Sequence, residues 1–204
     1  MTFGRFVVLP SPTLLLPLAD LKAFEKPRCP NYGKQMVDIS ESGLKELKIA
    51  EHFSGGCQCG AVRFHLKGAP GKAGICHCRM CQKAFGSWGA ALVSVPANNL
   101  SWTRGEPSEF RSSAIVARGF CSKCGTPLYM REDGDANFEI AIGAFDEPDR
   151  IGPLTGQVGI ESRVSWFEHM HLLPEQTTTE TRAPQDLAKL KTLQHPDYDT
   201  EHWP

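Results

Sequence analysis

The sequence predicts a mainly β domain of short antiparallel strands with few short helices. Three observations carry that expectation. Apolar segments are short, alternate in several places and end at Gly or Pro, as strands joined by turns do. No long amphipathic helix separates them, so a parallel sheet with helical crossovers is not indicated. Seven of the eight cysteines fall into three tight clusters: Cys57-Gln58-Cys59, Cys76-His77-Cys78-Arg79-Met80-Cys81 and Cys121-Ser122-Lys123-Cys124.

Residues 1–50 read as an N-terminal extension, expected to be poorly ordered. They hold Pro-rich pieces at 9–17 and 27–30 and one weakly capped helical candidate at 42–51, with little apolar face to bury. Residues 51–175 form the domain. Segment 61–66 alternates and ends at Gly68, 89–95 is apolar up to Pro96, 138–142 alternates up to Gly143, and 158–164 is a fourth strand candidate. Residues 176–204 read as a polar C-terminal tail. It holds a possible short helix at 184–193, with Pro184 at its start, where proline is tolerated.

Charge and hydropathy narrow the partners. The 22 Lys and Arg nearly balance the 23 Asp and Glu, giving a net charge of −1. No basic run is present, so nucleic acid is not expected. No apolar stretch approaches the roughly 18 residues a membrane helix needs. Segment 6–18, preceded by Arg5, has the outline of a secretory leader, but Pro10, Pro12 and Pro17 interrupt it. Clustered thiols suit a reducing compartment, so a cytoplasmic location is expected. Oligomeric state is not legible.

The clusters carry the chemistry. Thiolates one or two residues apart can converge on one cation, and zinc takes four ligands in a structural site but leaves a position open in a catalytic one. Cys57 and Cys59 with Cys121 and Cys124 make a closed set of four. Gly60 and Gly125 follow directly and let backbone N–H groups turn toward the sulfurs. Cys76, Cys78 and Cys81 make a set of three, either open or closed by a fourth ligand. His77 is a poor fourth, since consecutive side chains diverge in extended backbone. Cys29, in the extension, closes the set only if that segment folds back. Disulfides are the competing reading, though Cys-X-Cys geometry disfavours them. A zinc held by three thiolates lowers the pKa of its fourth ligand and suits thiol addition to an aldehyde better than peptide hydrolysis.

Other residues read more simply. His169 and His171 lie two apart and could ligate from one strand face, but an ordinary exposed pair is the plainer reading. Phe85, Trp88, Trp102 and Phe120 read as core or site lining. Asp146-Glu147-Pro148-Asp149 reads as an acidic turn.

Three segments resemble the glutathione-dependent formaldehyde-activating enzyme family, which includes centromere protein V-like proteins. They are Gly55-Gly56-Cys57-Gln58-Cys59-Gly60-Ala61-Val62-Arg63-Phe64, Cys76-His77-Cys78 with Cys81-Gln82-Lys83 and Gly86-Ser87, and Phe120-Cys121 with Cys124-Gly125-Thr126-Pro127-Leu128. Leu100-Ser101-Trp102, Gly143 to Pro148, Trp166 and Leu173-Pro174 add to it. The resemblance covers about residues 53–175. It implies a β-tent fold around two zinc ions. Cys57, Cys59, Cys121 and Cys124 look like the structural site, and Cys76, Cys78 and Cys81 the catalytic one. The implied activity is a carbon–sulfur lyase joining glutathione to formaldehyde as S-hydroxymethylglutathione, or one handling a related thiol adduct. Gln157 stands where the family commonly carries a histidine. The alternative is a non-catalytic zinc module for protein interaction.

Overall fold

The computed structural model describes residues 52–202. The N-terminal extension, with its helix candidate at 42–51 and Cys29, lies outside the described residues. The described chain is mainly β, with two sheets and few short helices.

Strands β1 (His52–Gly56), β2 (Arg63–Lys67) and β5 (Leu100–Arg104) form a three-stranded antiparallel sheet in the order β1-β2-β5. Alternation in β2 places Phe64 and Leu66 in the core, with His65 and Lys67 outside. The second sheet has seven strands: β3 (Ala73–Cys76), β4 (Ala90–Pro96), β6 (Ser108–Arg111), β7 (Val116–Phe120), β8 (Pro127–Glu132), β9 (Asn137–Ala141) and β10 (Gly156–Val158). Their order is β10-β3-β4-β9-β8-β7-β6. Every pair is antiparallel except β10 with β3, which is parallel.

The main core gathers Phe53, Phe64 and Leu66 of the small sheet with Val93, Val95, Ile140 and Leu128 of the large one. Phe64 meets Trp102 and Phe145 edge to face, with centroids 5.8 and 5.1 Å apart. Each fully buried side chain of this core, such as Phe64, contributes about 1.5–3 kcal/mol by leaving water. A second, smaller cluster joins Cys81, Ala90 and Leu92, with Cys76, Cys78, Phe85 and Met130 packed on it. It lies under the short helix α1 (Arg79–Phe85), which Gly86 ends in a left-handed conformation at φ 58°, ψ 33°.

Two predicted elements differ. Segment 158–164 is not a strand: β10 stops at Val158, Gly159 turns the chain at φ 65°, and a 3-10 turn follows over Ile160–Ser162. The late helix is one turn, α2 (Pro184–Leu187), because no buried face extends it. Residues read as part of a polar tail lie against the small sheet. The His195 N–H donates to the Gln58 carbonyl at 2.8 Å. Asp199 pairs with Arg63 at 2.8 Å and also with His65. Arg104 donates to the Thr200 carbonyl.

Candidate metal centres

The four cysteines of the first set converge from two turns. Cys57 and Cys59 follow β1, and Cys121 and Cys124 sit between β7 and β8. Their sulfurs all lie within 4.8 Å of one another. Cys57 Sγ is 3.6 Å from Cys59 Sγ, which is 3.8 Å from Cys121 Sγ. A tetrahedron with bonds of about 2.3 Å, the zinc–thiolate length, has edges of about 3.8 Å. The two turns are built alike. Cys57 N–H donates to Val62 O at 2.9 Å and Cys121 N–H to Thr126 O at 3.0 Å. Gly60 and Gly125 N–H groups close the turns onto Cys57 O and Cys121 O, at 3.0 and 2.8 Å. Thus the glycine amides bind carbonyls, and the Val62 N–H reaches Cys57 Sγ, at 3.2 Å. Gln58 N–H donates to Thr126 Oγ1 at 3.1 Å and ties one turn to the other.

Burial pushes the Cys57 thiol up to about 12. Cys124 goes the other way: the Thr126 hydroxyl and the backbone N–H groups of Thr126 and Cys59 outweigh its burial and bring it down to about 6. A thiolate favoured at Cys124, beside the Cys57 thiol that must lose its proton, is a donor set poised for a divalent cation.

Cys76, Cys78 and Cys81 form the second set, also within 4.8 Å of one another. Cys76 ends β3. Cys78 caps α1, its sulfur accepting from the Cys81 N–H at 3.4 Å. Burial pushes Cys81 up to about 12, against the opposing pull of Arg118, whose Nη2 donates to Cys81 Sγ at 3.5 Å. The loop is pinned from behind. Buried Gln82 donates from Nε2 to His77 O at 2.6 Å and Ser162 O at 2.8 Å. His77 is fully buried, with its ring against Trp88 and Phe167 and Nε2 2.9 Å from Gln157 Oε1. It is not one of the converging ligands.

All seven described cysteines are free thiols. Both donor sets therefore fit a thiophilic divalent ion such as zinc, in spacing and in chemistry. Cys76 also lines a cavity of about 690 Å³ that includes Leu92, Met130, Ser94, Glu139 and Lys72. Burial, with Asp135 and Glu132 nearby, holds the Glu139 carboxyl above the usual carboxylate range.

The other sequence candidates fall elsewhere. His169 and His171 are exposed in the 3-10 turn Ser165–Leu172 and belong to neither set. Asp146 is more than part of an acidic turn: it is nearly buried and takes both Arg63 Nη groups, at 2.8 and 2.5 Å. Sequence reasoning missed Gln82, Arg118 and the Arg63–Asp146 pair. The signal available was a charged or amide residue beside a cysteine motif, and several such residues there are plain surface.

Residues 52–159, more than half of the chain, match the profile of the glutathione-dependent formaldehyde-activating enzyme family. The chain belongs to that family, whose members are generally formaldehyde-activating enzymes. A solved structure of a Rhodobacter sphaeroides protein is also similar. It is 19% identical over 52% of this chain and 99% of its own length, with a TM-score of 0.43, too slight a likeness to bear on function. Among the described residues no helix is long and apolar enough to cross a membrane.

Proposed function

We propose that the protein is a zinc-dependent carbon–sulfur lyase that adds glutathione, or a related thiol, to formaldehyde. The observation that carries this reading is the inequality of the two cysteine sets. Four sulfurs close one tetrahedron beside the main core, whereas three sulfurs form the other and one of them, Cys76, borders a cavity. Cys57, Cys59, Cys121 and Cys124 would hold a structural zinc ion, and Cys76, Cys78 and Cys81 a catalytic one. Residues 51–175 are the catalytic domain in this reading, with 1–50 and 176–204 as additions to it. The seven free thiols favour a reducing compartment, in keeping with a cytoplasmic protein.

Zinc in the three-cysteine site supplies stabilisation of a thiol in its anionic, nucleophilic form. The chain supplies the rest. Trp88 and Phe167 cover His77 and exclude water from the back of the loop. Gln82 and the Cys78 cap fix the relative positions of the three sulfurs. Leu92 and Met130 give the cavity an apolar wall next to Cys76, while Lys72, Ser94 and Glu139 offer polar groups farther along it. In the reaction the thiolate sulfur bonds to the aldehyde carbon, the carbonyl π pair moves to oxygen, and water returns the proton to that oxygen. No redox partner is needed.

The test is the exchange of ¹³C-formaldehyde with glutathione followed by NMR. The wild-type chain should accelerate exchange, and Cys78→Ser should not. Acceleration by neither protein, with both metals in place, removes the enzyme reading and favours the zinc module for protein interaction.

A further inference from the structure

Arg118 lies on β7 and is 7% exposed. Its Nε donates to Ser112 Oγ at 3.0 Å and its Nη2 to Cys81 Sγ at 3.5 Å. Nη1 is buried and has no hydrogen-bond partner. A buried cation is costly unless an anion lies beside it. Arg118 has no carboxylate partner among the described residues, and the acidic group that it touches is the Cys81 thiol.

The two cysteine sets differ in charge. Three thiolates around a divalent ion sum to −1, and one guanidinium brings that to zero. Four thiolates around the same ion sum to −2, and among the described residues no arginine touches the sulfurs of that set. Its sulfurs accept instead from the Val62 amide and the Thr126 hydroxyl. The arginine is thus placed at the set that has room for a further ligand. Arg118 is in register with Met130, which lines the cavity bordered by Cys76.

We propose that Arg118 is a positioning residue of the three-cysteine centre. It fixes the Cys81 sulfur through Nη2–H and supplies the positive charge that lets the centre accept a fourth, anionic thiolate from the cavity. This rests on the reading of Cys76, Cys78 and Cys81 as a metal centre for a thiol. Without Arg118 a thiolate ligand takes the centre from −1 to −2 in a largely desolvated place. With it the change is from zero to −1. The unpartnered Nη1 fits a guanidinium held for its charge and not for a closed hydrogen-bond network. Lysine cannot reproduce the planar fork that reaches serine and sulfur together.

The test uses the full chain loaded with cobalt(II), whose thiolate charge-transfer bands report each site. Affinities are measured against a competing chelator, and glutathione is then titrated. Arg118→Met should lose about 10–100-fold in cobalt affinity at the three-cysteine site, with the four-cysteine site unchanged. The glutathione-dependent change in the bands should disappear or require at least about 10-fold more glutathione, given the same scale. Arg118→Lys should recover part of both. Wild-type affinity and wild-type glutathione response in Arg118→Met overturn the proposal. Should that variant fail to melt cooperatively, Ser112→Ala decides: it frees Nε, and a loss confined to the three-cysteine site supports the proposal, while unchanged affinities overturn it. A wild-type chain that loads only one cobalt would remove the reading of the centre itself, a result distinct from a failure confined to the arginine variants.

Discussion

Gly159→Ala is expected to damage the three-cysteine set from a position that ligates nothing. Gly159 ends β10 at φ 65°, ψ 30°. A Cβ there would lie 2.7 Å from Cys78 N and 3.0 Å from Cys78 Cβ. The left-handed conformation costs an alanine about 1–2 kcal/mol. Forcing the contact open costs about 1–3 kcal/mol more, and the strain falls on the segment that places Cys78. Gly86 is the matched control: its φ 58° and ψ 33° are nearly the same, and nothing lies within 4 Å of its added Cβ. The conformational cost is common to both variants, so their difference isolates the contact with Cys78. At about 2–4 °C per kcal/mol for a domain of this size, Gly159→Ala should melt about 2–12 °C below Gly86→Ala. It should also lose metal from the three-cysteine site first. The assay is thermal melting of both variants with metal content measured in parallel. Equal melting and equal metal content in the two variants would show that the close approach of Gly159 to Cys78 carries no cost.

Three further outcomes are expected. Cys121→Ser removes a proposed ligand buried in the main core and should abolish cooperative melting, because a structural zinc ion would contribute on the order of 10 kcal/mol to folding; Cys78→Ser, from the smaller cluster, should melt near wild type yet show no response to glutathione. Deleting residues 194–204 removes the His195, Asp199 and Thr200 contacts with Gln58, Arg63 and Arg104. It should cost about 1–3 kcal/mol after allowing for half-exposed Asp199, and chelator should strip the four-cysteine site faster, as timed by zinc release. The pH response should differ between metal-free and loaded protein. Burial raises Cys57 and Cys81 from 9.0 to about 12 in the folded chain. The stability that these two thiols contribute to the metal-free form is therefore complete below about pH 9 and is lost as pH rises toward 12, whereas the loaded form, its thiols already deprotonated, should not show that loss in denaturant titrations.

The two converging cysteine sets were legible because sulfur donors that could share one ion are residues of one type at close spacing, and that spacing survives in the linear sequence. The strands around Phe64 and Ile140 were legible through alternation, and the one around Val93 as an apolar run ending at Pro96. Segment 158–164 misled because its apolar residues continue past Gly159, and only a positive φ there breaks the strand. The role of Arg118 was hidden, since its partners Ser112 and Cys81 lie 6 and 37 positions away. The docking of Asp199 onto Arg63 spans 136 positions and leaves no local pattern. Asp146 looked like a turn residue for the same reason: its partner Arg63 is 83 positions away.

In the proposed function two zinc ions sit in unequal sulfur environments, and the poorer one receives the thiol. X-ray absorption at the zinc edge, combined with metal analysis and repeated with saturating glutathione, tests it directly. Two zinc ions per chain are expected, one with four sulfurs and one with three sulfurs and a lighter atom. With glutathione the average sulfur count should rise from about 3.5 to about 4 per zinc, as a fourth thiolate completes the tetrahedron. An average of four sulfurs before glutathione is added would contradict it, because both sites would then be closed by the protein's own cysteines.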